Sequence, residues 1–148
     1  MERIRALQPL LLAHLAFKKN VETNLKKYGL NPGNPRVLLY ISDHEGCSQK
    51  DLAETFFIES CTLSSVLANM EENGFIERKR NKNDRRSYTI YTTSKGQQVL
   101  EIIRSQFEKS IDTALAGFSV EEAVQLHDYL SRVADNLKEA NSSLTATT

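Results

Sequence analysis

Residues 48–96 read SQKDLAETFFIESCTLSSVLANMEENGFIERKRNKNDRRSYTIYTTSKG, and this stretch decides the fold. Ser48-Gln49-Lys50-Asp51 has the form of a capping box with Asp in the place of Glu. Leu52, Ala53 and Phe56 give the helix it opens one apolar face, and Phe57-Ile58 makes a turn. Ser60 or Glu59 caps the next helix, where Leu63, Val66, Leu67 and Met70 recur at i, i+3, i+4 and i+7. Asn73-Gly74 ends it. The period then changes. Residues 75–80 and 87–92 are short and rich in aromatic and β-branched types, with Asn81-Lys82-Asn83-Asp84 between them, which reads as a hairpin.

The hairpin tip is strongly cationic in a chain that is otherwise neutral. The 148 residues carry 19 Lys and Arg against 19 Asp and Glu. A uniform polyanion-binding surface is therefore excluded, but a local patch is not. Arg78, Lys79, Arg80, Lys82, Arg85 and Arg86 crowd the tip with a single acid, Asp84. With Leu63, Val66, Leu67 and Met70 turned inward, the preceding helix presents Cys61, Ser64, Ser65, Ala68, Asn69 and Glu72, with Thr62 at the flank. Short side chains let a backbone approach base edges, and Ser, Thr and Asn bond to bases or phosphates. A helix fit for the major groove beside a basic wing points to duplex DNA. Asp84, two residues before Arg86, is expected to shape the hairpin and orient Arg86, while Arg86 or Arg85 enters the minor groove.

Outward from this centre the chain reads as helical. Ile4, Leu7, Leu10, Leu11, Leu15, Val21 and Leu25 predict a long amphipathic helix over 3–27, ended by Gly29. Asn31-Pro32 predicts the start of a second helix, with Pro35 in its first turn. Thr93 caps a fifth, broken by Gly117, and Ser119 with Glu122 opens a sixth. The Ser/Thr/Ala-rich tail from about residue 141 is expected to be disordered. The fold class is mostly α with a small β-hairpin wing: one domain over 1–148, with a winged helix-turn-helix over 31–97 and dimerisation helices over 1–30 and 98–140. The long apolar stripes of the first and last helices predict a homodimer, because a monomer would leave them exposed.

At this point the residues resemble the MarR family of winged-helix transcription regulators, over about residues 5–138. The similarity is carried by Gln49-Lys50-Asp51-Leu52-Ala53-Glu54, by Thr62-Leu63 through Met70-Glu71-Glu72-Asn73-Gly74-Phe75-Ile76-Glu77-Arg78, by Asp84-Arg85-Arg86-Ser87 and by Thr93-Ser94-Lys95-Gly96. The resemblance implies a homodimer on a palindromic operator, and repression relieved by a small, often phenolic or anionic, ligand bound between dimerisation and DNA lobes. Carried over by position, Ser60, Cys61, Thr62, Ser64 and Ser65 fall on the base-reading part of the recognition helix, and Asp84 and Arg86 on the wing motif. Position 65 commonly bears Arg or another long polar residue in the family and is Ser here. Position 92 is commonly Leu and is Thr here. Candidate effector contacts, placed by position, are His14, Arg36 and Tyr40.

Other classes are set aside or held as alternatives. His14, His44 and His127 share no metal-ligand spacing, so no metal or cofactor is expected, and no catalytic motif appears. Two cysteines do not make a disulfide scaffold. The longest near-apolar run, Leu10 to Phe17, is too short to span a membrane, and nothing reads as a signal peptide, so a reducing cytoplasm is the expected compartment. Cys61 near a helix N-terminus suggests a thiol-based redox regulator. A winged-helix protein–protein module, or a small dimeric enzyme whose basic hairpin meets an acidic partner, remains the reading from a different class.

Overall fold

The computed structural model describes residues 5–31, 34–84 and 86–145. Among them the order is α1 (Gln8–Leu25), a 3-10 turn (Lys26–Tyr28), α2 (Asn34–Asp43), β1 (Cys47–Ser48), α3 (Gln49–Phe56), α4 (Ser60–Glu72), β2 (Ile76–Arg80), β3 (Tyr88–Thr92), α5 (Ser94–Ala114) and α6 (Val120–Thr145). Two compact units result, residues 1–110 and 111–148.

The first unit is built on the apolar periodicities. Leu63, Leu67 and Met70 of α4 are fully buried, and Val66 is half-buried beside them. Leu38 and Ile41 of α2, Leu52 of α3, Ile76 and Ile90 of the sheet, and Leu100 and Ile103 of α5 complete the core, with Val21 and Leu25 of α1. Each such side chain contributes about 1.5–3 kcal/mol by leaving water. Phe17 meets Phe107 edge-on at 5.8 Å between centroids. Buried Ser110 donates to Asn20 Oδ1 at 2.7 Å, so α1 and α5 also share a polar contact.

The sheet holds a strand that periodicity did not show. Cys47 and Ser48 pair antiparallel with Ile90 and Thr89, giving the order β1-β3-β2. Two residues are too few to carry an alternation. β2 pairs with β3 in the register Ile76↔Thr92, Arg78↔Ile90 and Arg80↔Tyr88.

Thr93 and Gly96 lock the sheet to α5. The Thr93 N–H donates to Phe75 O at 3.1 Å and its hydroxyl donates to Gly74 O at 2.6 Å. The same hydroxyl accepts from the Gly96 N–H at 3.0 Å, capping α5. A Cβ on Gly96 would stand 2.1 Å from Phe75 O. That close approach is the physical content of the Thr-x-x-Gly element. Gly74 supplies the left-handed residue, φ +74°, that turns the chain out of α4.

The expected start of the first helix at residue 3 lies outside the described residues; Arg5 is helical, Ala6 and Leu7 form a turn, and α1 runs from Gln8 with Pro9 in its first turn, where a missing N–H costs nothing. The second begins at Asn34 with Pro35 behind it, and the expected Pro32 start lies outside the described residues. The second unit holds α6, opened by a capping box in which Ser119 and Glu122 exchange bonds of 2.8 and 3.2 Å. That helix runs on to Thr145 where a disordered tail was expected. No Gly or Pro interrupts residues 138–145, and the Ser142 hydroxyl bonds back to Lys138 O at 3.0 Å. Residues 146–148 lie outside the description.

Candidate nucleic-acid interface

The first half of the interface is α4, presented by α3. Ser48 accepts from the Asp51 N–H at 3.1 Å and gives its own N–H to the Asp51 carboxylate at 2.8 Å. The Ser48 N–H and, after it, the Ser48 hydroxyl, both directed at the carboxylate, hold the Asp51 carboxyl below the usual carboxylate range. Phe57 takes φ +52° to turn the chain toward α4. Gln49 then reaches across, donating to Ser64 Oγ at 2.6 Å and Ser60 O at 3.3 Å. It sets the spacing of the two helices, a role no pattern in the sequence announces.

The flanks of α4 are therefore already occupied. Ser64 is half-buried and spends its hydroxyl on Ser60 O at 2.8 Å. Asn69 accepts from Asn31 at 2.9 Å and Asn34 at 3.1 Å, which draws it toward the head of α2. It lies only about 60° round the helix from Val66, on the flank rather than the open face. Ser60, Cys61, Thr62 and Ser65 stay exposed in the first two turns. The Ser65 hydroxyl folds back on Cys61 O at 3.2 Å.

The wing sorts its cations by strand face. Ile76, Arg78 and Arg80 share one face because successive residues alternate. Arg78 consequently points where Ile76 does, and Glu71 of α4 meets its guanidinium at 2.9 and 2.5 Å. This pair holds the Glu71 carboxyl below the usual range. Lys79 lies on the opposite face, 2.8 Å from Glu77 and 4.7 Å from the Tyr91 ring centroid, and Glu77 raises its pKa. Among the described residues, no carboxylate pairs with Arg80, Lys82 or Arg86. Arg85 lies outside the description.

The tip is tied by its short polar residues. Asn81 donates its N–H to Ser87 O at 3.0 Å and accepts from the Asn83 N–H at 2.9 Å. Asp84 Oδ1 accepts the Arg86 backbone N–H at 2.9 Å. Asp84 O takes the Ser87 N–H and hydroxyl at 3.1 and 3.2 Å. Asp84 thus bonds the main chain of Arg86, an Asx turn that leaves the guanidinium unclaimed. At position 92, Thr binds the Glu45 carboxylate through N–H and hydroxyl and accepts from Gln97 at 2.5 Å.

The remaining candidates separate. His14 and Arg36 line one cleft of about 260 Å³ with Phe17, Lys18, Val21, Glu22 and Pro35. Tyr40 does not line it: its ring stacks on His44 at 4.1 Å and meets Phe56 edge-on. Cys61 is exposed, 3.9 Å from the Glu59 carboxylate, whereas reactive thiols sit beside cations. Cys47 is buried, which pushes its thiol up to about 11. Among the described residues no cluster could hold a metal ion, and no helix is long and apolar enough to cross a membrane.

A short-side-chained helix start beside a cationic hairpin, both fixed on one core, is the apparatus of winged helix-turn-helix DNA-binding regulators. The chain belongs to the MarR family, whose sequence profile matches residues 28–87. It is 32% identical over 119 residues to the HTH-type transcriptional regulator BilQ of Clostridioides difficile strain CD3, covering 80% of each chain. A MarR family transcriptional regulator of Listeria monocytogenes, solved in complex with a 26-mer DNA, superposes with a TM-score of 0.86 at 30% identity, over 90% of this chain and 89% of that one. The crystal structure of MarR gives a TM-score of 0.84 at 25% identity, over 97% and 98%. The protein is a DNA-binding transcription regulator, a class that is not enzymatic.

Proposed function

We propose that the protein is a homodimeric repressor that grips a palindromic operator and lets go when a small amphipathic anion enters the cleft between α1 and α2. The dimer rests on one observation above the others, the apolar side chains left in water. Leu11, Leu12 and Leu15 of α1 are about three-fifths exposed, and Val120, Val124, Leu130 and Leu137 of α6 lie open as well. Monomers rarely leave stripes of this length uncovered. A two-fold pair would set two α4 helices about 34 Å apart, one turn of DNA.

In this reading Ser60, Cys61, Thr62 and Ser65 face the major groove, and Arg80, Lys82, Arg85 and Arg86 meet the backbone and the minor groove. Arg78, Ser64 and Asn69 shape the lobe. In the cleft, Phe17, Val21 and Pro35 offer an apolar wall, Arg36 offers a cation, and Lys18 offers a second that it shares with Glu22 at 3.9 Å. A small aromatic carboxylate matches that chemistry.

Light scattering tests the assembly. The parent is expected at twice the chain mass, and a Leu11→Glu/Leu15→Glu variant at or near the single mass. A parent that stays monomeric at tens of micromolar ends the proposal. For the ligand, benzoate serves as probe. It is expected to weaken a gel shift on the gene's own upstream DNA for the parent and not for Arg36→Ala.

A further inference from the structure

The head of α2 does two things at once. Its residues Pro35 and Arg36 wall the α1–α2 cleft. Its first residue, Asn34, is 1% exposed and donates its side-chain amide to Asn69 Oδ1 at 3.1 Å. Asn31, three residues earlier, donates to the same oxygen at 2.9 Å and also accepts the Asn34 N–H at 3.1 Å. Three asparagines thus form one amide cluster joining the α1–α2 connection to α4.

The cluster holds α4 far from its base-reading end. Asn69 is the tenth of the 13 residues of α4, about 14 Å along the axis from Ser60. At the other end Gln49 grips Ser64 and the Ser60 carbonyl. Leu63, Leu67 and Met70 anchor one side of α4 in the core, and the two polar grips near its ends fix its direction on that core. Asn69 cannot be replaced by an apolar residue without stranding the buried Asn34 amide, and buried donors left unpaired are costly. Packing alone does not account for a buried amide here, since an aliphatic residue would fill the same volume without that penalty.

We propose that Asn34 is a positioning residue for DNA binding: from the turn of α2 that walls the cleft, it sets the pose of the recognition helix through Asn69. Its regulatory meaning rests on the cleft reading above, since an occupant that displaces Pro35 and Arg36 moves the amide that steers α4. Coupling of this kind is reciprocal, so DNA on α4 must be felt at the head of α2. That allows a test with DNA as the only ligand.

The test uses an operator that the parent selects from a random duplex pool. Asn34→Ala and Asn69→Leu are each expected to bind it about tenfold more weakly, the scale of one hydrogen bond. The double variant is expected to lose little more than either single one, because both cut the same link. Binding to unrelated DNA, driven by phosphate contacts, stays within about twofold. In amide-resolved NMR, operator binding shifts the Arg36 and Val37 signals of the parent and leaves them in place in Asn69→Leu. Parent-like affinity in Asn34→Ala, additive losses in the double variant, or an unchanged Arg36 and Val37 response in Asn69→Leu each overturn the proposal. Should Asn34→Ala fail to fold, Asn31→Ala carries the affinity test, since that residue is exposed. Benzoate having no effect would sink only the ligand reading, because no step here uses it.

Discussion

Gly96→Ala strikes the joint between wing and scaffold. The new Cβ would stand 2.1 Å from Phe75 O and 3.1 Å from Phe75 C, so the obstacle is backbone, not a side chain that can swing aside. Reaching ordinary contact requires about 1.3 Å of separation between the start of α5 and the strand behind it. Overpacking of this kind costs about 1–3 kcal/mol. The movement also pulls at the Thr93 cap, worth about 1 kcal/mol. Alanine returns about 1 kcal/mol as the better helix former. The net loss is about 1–3 kcal/mol, which lowers the melting temperature by roughly 3–10 °C for a chain of this size. Circular dichroism melts at one fixed protein concentration measure it, since the stability of any self-associating chain depends on concentration. Gly29→Ala is the control. Gly29 has φ +77° and nothing within 4 Å of an added Cβ, so it loses only the left-handed preference, about 1 kcal/mol. If the two variants melt alike, or Gly96→Ala melts within a degree of the parent, the close approach does not hold the joint.

Arg86→Ala is expected to weaken operator binding and reduce the salt slope by about one, with an unchanged melting temperature; a slope equal to the parent's would remove Arg86 from the contact set. Arg78→Ala is expected to do the reverse, losing about 0.5–1 kcal/mol of stability after solvent screening, since the pair with Glu71 is a third exposed, and little affinity. Because Arg78 lowers the Glu71 carboxyl in the folded state, the pair stabilises the protein above the unfolded carboxylate range and that contribution is lost as pH falls through the depressed value. Urea midpoints between pH 6 and pH 3 should fall more steeply for the parent than for Glu71→Gln, and parallel curves would show that the pair adds nothing. Peroxide treatment should leave the DNA affinity of the parent and of Cys61→Ser changing in parallel; loss confined to the parent would restore the redox reading.

Much of the candidate site's local geometry is legible in the sequence because its determinants are local. Capping boxes at Ser48 and Ser119 bond over three residues. The Asx turns at Asn81 and Asp84 bond over two. An outward or charged residue in the pattern is not thereby a free one. Asn69 and Ser64 sit on helix flanks that α2 and α3 approach. Arg78 shares a strand face with buried Ile76, a fact that alternation alone could have supplied. That Glu71 waits there could not be read, because the two residues meet only after the chain turns at Gly74.

The sequence by itself determined the helices, the hairpin, the cationic tip and the family, because each is written in residues within one or two turns of one another. Tertiary structure alone decided which cations stay uncommitted, why glycine is favoured at position 96, and how the head of α2 bonds to α4. Those outcomes depend on pairs such as Asn34 with Asn69, or Phe75 with Gly96. Residues so far apart in the chain carry no shared period, and only the folded core brings them within bonding distance.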